Sequence, residues 1–142
     1  MAEILAIPAS AVALVQAIEL AGDLIARLYG SRKASAEANR AGEELRKLHA
    51  LVRQVEEYAQ GNEHARSNEA ENVLRAQISS LKAELDAFVA LVQPHLSQGT
   101  AWARLKTRTK WVMGLEKKLS EMPNRLLTHG HRLQLAFHLY SG

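Results

Sequence analysis

The sequence predicts an all-α fold, an up-and-down bundle of four to five helices with a buried, apolar N-terminal helix. Three observations predict it. Apolar residues recur in alternating steps of three and four along most of the chain, the spacing of a helix face turned to a core. Glycine, proline and asparagine fall between these runs, where helices stop. No stretch carries a convincing strand alternation. The 142 residues are 47% hydrophobic and 23% charged, ordinary globular composition and enough chain to bury a core, so one domain is expected over 1–142.

The first helix is expected from Ile4 to Leu28, with a seam of Ile4, Ile7, Ala11, Leu14, Ile18, Ala21, Ile25 and Leu28. Leu5, Val12, Val15, Leu20 and Leu24 place apolar side chains on its other faces, and no charge occurs before Glu19, Asp23 and Arg27 once the run has begun. A helix apolar on every side is normally buried, so it is placed at the centre with the others around it. Gly30 and Ser31 signal its end.

The second helix is expected from Ala34 to Ala59, with the seam Ala41, Leu45, Leu48, Val52, Val55 and Ala59 widened by Leu51 and Tyr58; Gln60, Gly61 and Asn62 close it. The third opens at Asn68, an N-cap with Glu71 in capping-box position, and carries Leu74, Ile78, Leu81, Leu85, Phe88 and Val92. Pro94 disfavours helical geometry at Gln93 and should stop it there. Thr100 or Ser97 can cap a fourth helix bearing Trp102, Leu105, Val112, Leu115, Leu119 and Met122. Pro123 marks either the first turn of a fifth helix or a kink, and Leu126, Gly130, Leu133, Phe137 and Tyr140 form the last seam. The helical pattern persists almost to Gly142, which suggests the N-terminal part of a longer protein.

The formal charge of +3 is unevenly spread, since residues 100–142 hold eight basic and two acidic side chains. That third is the face an anion would meet. The absence of cysteine fits a reducing compartment and excludes thiolate catalysis and disulfides. A secretory signal is not expected, because the chain starts Met1-Ala2-Glu3 without basic residues before the apolar run. The uncharged stretch from Ile4 to Ile18 is shorter than the about 20 apolar residues of a settled transmembrane helix. A cytoplasmic protein is expected, with an unusually membrane-competent first helix.

Catalysis finds little support. His129 and His131 stand two apart and would diverge by about 200° on a helix, so they cannot share a metal. His131 and His138 can share a side, but no HExxH pattern or phosphate loop is present. No enzyme, catalytic residue, metal, cofactor or small-molecule substrate is expected.

Three features point to binding, the least specific being the long seams, which a partner helix could also use, with Tyr140 at the end as a docking point. Ala9, Ala13, Ala17 and Ala21 recur every four residues, with Gly22 beside them, a spacing that lets helix backbones approach closely in lipid. Close packing inside a soluble bundle accounts for the same spacing. Arg104, Lys106, Arg108, Lys110, Lys117 and Lys118, with Trp111 among them, suit an anionic membrane surface. A solvated helix face is the plain alternative. Nucleic-acid phosphates would meet Arg104, Lys106, Arg108 and Lys110 equally well, but no nucleic-acid motif supports that partner.

The opening segment, residues 5–16 (LAIPASAVALVQ) running on to residues 24–30 (LIARLYG), resembles the first helix of fungal HeLo-like domains and of the N-terminal domains of fungal NLR-type (STAND) receptors. Residues 101–106 (AWARLK) and 111–119 (WVMGLEKKL) look like the Trp-and-Lys-rich fourth helix of the same group. The resemblance spans nearly the whole chain. It implies a programmed cell-death domain that a receptor or amyloid-type signalling protein clusters, that self-associates, relocates from the cytoplasm to the plasma membrane and permeabilises it. On that reading Ile4, Leu5, Ile7, Val12, Leu14, Val15 and Ile18 belong to the membrane-active helix. Where several first helices of the group are glycine-rich this one is mostly alanine, and Glu19 and Asp23 would need to be neutralised, paired or kept in a lumen. The alternative is a soluble signalling adaptor of an NLR-type receptor acting through protein–protein contacts alone.

Overall fold

The computed structural model describes the backbone of residues 7–29, 36–61, 69–96 and 109–141, and the side chains of residues 7–27, 39–61, 69–93 and 117–141. All the described residues are helical. The four helices are α1 (Ile7–Tyr29), α2 (Ala36–Gly61), α3 (Glu69–Leu96) and α4 (Thr109–Ser141), in an up-and-down bundle.

The seams read from spacing are the ones that bury. Ile7, Ala11, Leu14, Ile18, Ala21 and Ile25 of α1 meet the full second and third seams, from Ala41 to Ala59 and from Leu74 to Val92, in one hydrophobic core. Leu119, Met122, Leu126, Leu133 and Ala136 complete it from α4, while Leu51, Phe137 and Tyr140 pack partly buried against it. Ile4, the Gly30-Ser31 turn, the Asn68 cap, the Ser97 and Thr100 caps, Trp102 and Leu105 lie outside the described residues, as do the side chains of Leu28, Val112 and Leu115.

Packing partners fix the arrangement. α1 packs against α2 and α3, and α4 packs against the same two, so α1 faces α4 across one diagonal and α2 faces α3 across the other. Glu19 meets His49 and Gly22 approaches Leu45, so α1 and α2 run in opposite directions. Gly130 approaches Leu48, and the Tyr58 hydroxyl donates to the Ser141 carbonyl at 3.4 Å, so α2 and α4 run the same way. Tyr58 also meets the rings of Phe137 and Tyr140 edge to face, at centroid separations of 5.7 and 5.5 Å.

Three local expectations change. The first helix stands at a corner of the square rather than at its centre, with one side buried and one open. Of the apolar residues off the seam, Val15 and Leu24 widen the buried side, whereas Val12 and Leu20 stay on the open one, as a helix at the corner of a four-helix core allows. α3 does not stop at Gln93 but continues to Leu96. Near a helix C-terminus proline removes a single N–H, a loss the last turn can bear. Pro123 starts no new helix either, since α4 runs through it for 33 residues. Its ring is buried, and the packing on both sides, at Leu119, Met122 and Leu126, holds the two halves in one element.

Candidate functional site

The candidate site is α1 with the helices that hold it. Its 23 residues extend about 34 Å, and by length and composition it is able to cross a membrane, a test that the core helix of a soluble protein also passes. Of the residues assigned to a membrane-active segment, Ile7, Leu14, Val15 and Ile18 are buried in the bundle core, and Val12 is exposed on the outer side. Ile4 and Leu5 lie outside the described residues.

The row of small residues does not form one interface. Each step of four carries it roughly 40° further around the helix. Ala9 therefore faces solvent, Ala13 is half-buried, and Ala17 and Ala21 are buried in the core. Gly22 lies on the side of α2, where an added Cβ would make ordinary contact with Leu45 at 4.0 Å. Leucine at position 17 would overpack this bundle whatever the helix does in lipid.

The outer side of α1 mixes Val12 and Leu20 with Gln16, Glu19, Asp23 and Arg27. Both acids that would trouble an inserted helix have partners: His49 Nε2 lies 3.0 Å from Glu19 Oε2, and Arg27 Nε lies 3.2 Å from Asp23 Oδ2. The first pair ties α1 to α2. Both are solvent-exposed, where such pairs are worth about 0–1 kcal/mol.

Of the basic residues expected to meet anionic lipid, Lys117 and Lys118 are exposed on α4. Arg104, Lys106 and Arg108 lie outside the described residues, as do the side chains of Lys110 and Trp111 at the start of α4. Further along α4, His129 and His131 diverge as their spacing requires. His129 turns toward α3, within 3.4 Å of Glu84, and His131 is exposed beside Gln134 and Leu127 in a groove between α2 and α4. Among the described residues no three potential metal ligands come together.

Two features escaped the reading of spacing. Glu84 of α3 accepts from Arg125 Nε at 2.9 Å and Nη2 at 2.6 Å. Burial pushes the Glu84 carboxyl up, but the Arg125 hydrogen bond and the nearby His129 and Arg125 charges outweigh it and hold the group below its ordinary range. The other is a set of exposed leucines on α4. Leu135 is 64% and Leu139 60% exposed, four residues apart and off the seam of Leu133, Phe137 and Tyr140. Their i, i+4 spacing was the available signal, masked by the stronger seam beside it.

Comparison with protein-family models, curated proteins and solved structures yields no match to this chain.

Proposed function

We propose that this chain is a membrane-permeabilising effector domain, active after signal-induced clustering, whose α1 leaves the bundle and enters the bilayer. The supporting observation is α1 itself: long and apolar enough to span, free of charge from Ile7 to Ile18, and placed at a corner with one face already open. A corner helix departs without dismantling contacts on every side. The fungal HeLo-like resemblance supplies the biological setting: a cytoplasmic domain under an upstream receptor or amyloid-type protein, acting with anionic plasma-membrane lipid in programmed cell death.

The soluble-adaptor reading has its own support, since the α1 seam is an integral part of the core. One experiment separates the two. The chain lacks cysteine, and Glu19 and His49 touch across the α1–α2 boundary, so Glu19→Cys with His49→Cys creates one specific pair for a cleavable bis-maleimide linker. Both positions tolerate change because the pair is exposed. Dye release from phosphatidylcholine–phosphatidylserine vesicles is expected from the clustered unlinked protein, is lost on linking and returns when the linker is cleaved. Absence of release from the folded, clustered, unlinked protein, or release undiminished by the linker, would overturn the proposal and leave the adaptor.

A further inference from the structure

The outer side of the C-terminal half of α4 is apolar where solvent should favour polar residues. Leu135 and Leu139 stand 64% and 60% exposed, adjacent by their i, i+4 spacing. Val73 of α3, 41% exposed, lies on the same face of α3 as Glu84, three turns toward the N-terminus. Glu84 meets Arg125 and His129, and α3 and α4 run in opposite directions, so this register brings Val73 roughly level with Leu139. Leu135 and Leu139 form the apolar patch, and Val73 stands at about the same level on the side of α3 that turns to α4.

The charge on α4 is mainly positive, although Lys117 and Lys118 lie about 25 Å or more along the helix from the leucines and Glu69 of α3 is exposed one turn before Val73. Over residues 117–141, α4 carries Lys117, Lys118, Arg125 and Arg132 against the single acid Glu121. Glu121 lies about 16 Å along the helix from Arg132, and Glu84 is already held by Arg125. Arg132 is exposed and, with Asn124, Thr128 and His129, lines an open recess of about 260 Å³ on the same side of α4, room for a phosphate-bearing headgroup. His131 and His138 are exposed close to the leucines.

We infer that this face of α4 docks the folded domain on an anionic bilayer, with Leu135 and Leu139 entering the interfacial zone and Arg132 meeting headgroup phosphates. Exposed leucines beside Arg132 on a convex helix suit a fluid, negatively charged surface, to which burial and charge both contribute. This docking does not depend on release of α1. It has a geometric consequence for that release: α1 stands diagonally opposite α4, so a bundle docked in this way holds α1 on the side away from the lipid.

The test is co-sedimentation of the full chain with phosphatidylcholine vesicles, with and without phosphatidylserine, alongside sedimentation velocity without lipid. Binding is expected to need phosphatidylserine. Leu135→Ala with Leu139→Ala should weaken it by about tenfold or more, and Arg132→Gln by about fivefold, with circular dichroism unchanged because all three side chains are exposed. Binding retained without dye release would overturn the permeabilisation proposal while supporting the docking face. No binding to the anionic vesicles, or binding indifferent to the leucine substitutions, overturns the inference. So does a dimer in the absence of lipid that the leucine substitutions abolish, which would assign the patch to a second copy of the chain.

Discussion

Arg125 Nη2 stands 2.6 Å from Glu84 Oε1, with Nε of the same guanidinium at 2.9 Å, so a single carboxylate oxygen joins α3 to α4. The arginine is largely exposed and the glutamate half-buried. Since the Glu84 carboxyl is held below its ordinary range, the folded state favours its charged form. That stability is present above the unfolded glutamate pKa of about 4.3 and is lost as pH falls through the lower folded value. Glu84→Gln should therefore cost about 0.5–1 kcal/mol at neutral pH and flatten the acid limb of the stability curve. Urea unfolding at neutral pH and in mild acid checks both; a variant whose acid limb matches the parent chain would count against the assignment.

His129 sits beside this pair with its Nε2 3.4 Å from Glu84 Oε1 and its Nδ1 buried without a hydrogen-bond partner. A buried polar atom left unpaired costs about 1–3 kcal/mol, more than the about 0–1 kcal/mol of a long, partly exposed Nε2 contact to Glu84. His129→Leu removes the unpaired atom and puts apolar volume against the core. The expected outcome is unchanged stability or a gain of up to about 1 kcal/mol, read from chemical denaturation.

Most of the core was legible because its residues obey one rule. Leu74, Ile78, Leu81, Leu85, Phe88 and Val92 alternate steps of four and three, and all six bury. Periodicity gives the face of each helix that turns inward, but not which helices become neighbours. Nothing in the spacing of α1 distinguishes a central helix from a corner one, since the same apolar seam serves both. Two expectations at proline change, the stop at Gln93 and the start of a fifth helix at Pro123, because the cost of one missing N–H is local and the packing that offsets it is not visible in sequence. Glu84 and Arg125 lie 41 residues apart, and only the α3–α4 register brings them together. For the candidate site, spacing identified the apolar helix and its acids, but the pairing of Glu19 with His49 and the turning of the alanine row needed coordinates.

Two glycines inside helices make a matched comparison. A Cβ at Gly42 would meet nothing within 4 Å, whereas one at Gly130 would stand 3.3 Å from Leu48 Cδ2. Alanine in a helix interior is favoured over glycine by about 0.8–1 kcal/mol. Gly42→Ala should deliver most of that as added stability. At Gly130 the tight approach offsets it, although Leu48 borders the open groove between α2 and α4 and has room to yield by a few tenths of an ångström. Gly130→Ala is expected within about 0.5 kcal/mol of the parent chain. Thermal melts of the two variants give the comparison, and an equal gain at both sites would mean that the α2–α4 contact is looser than the 3.3 Å approach implies.

Pro123 is the sharpest conflict between local preference and observed structure, a buried proline in the middle of the 33-residue α4. It offers no N–H to the Leu119 carbonyl, and proline in a helix interior costs about 3 kcal/mol relative to alanine. Pro123→Ala restores the donor and removes the ring clash with the preceding turn. Against this, the substitution leaves unfilled the space of a buried ring, and it loosens the unfolded chain. The helix term is the larger, so the variant should be more stable by about 1–2 kcal/mol, with a higher melting temperature and a stronger helical signal. A loss of stability would show that α4 must bend at Pro123 for Leu119 and Leu133 to reach the same core. The proline would then be what fits one long helix to three shorter ones.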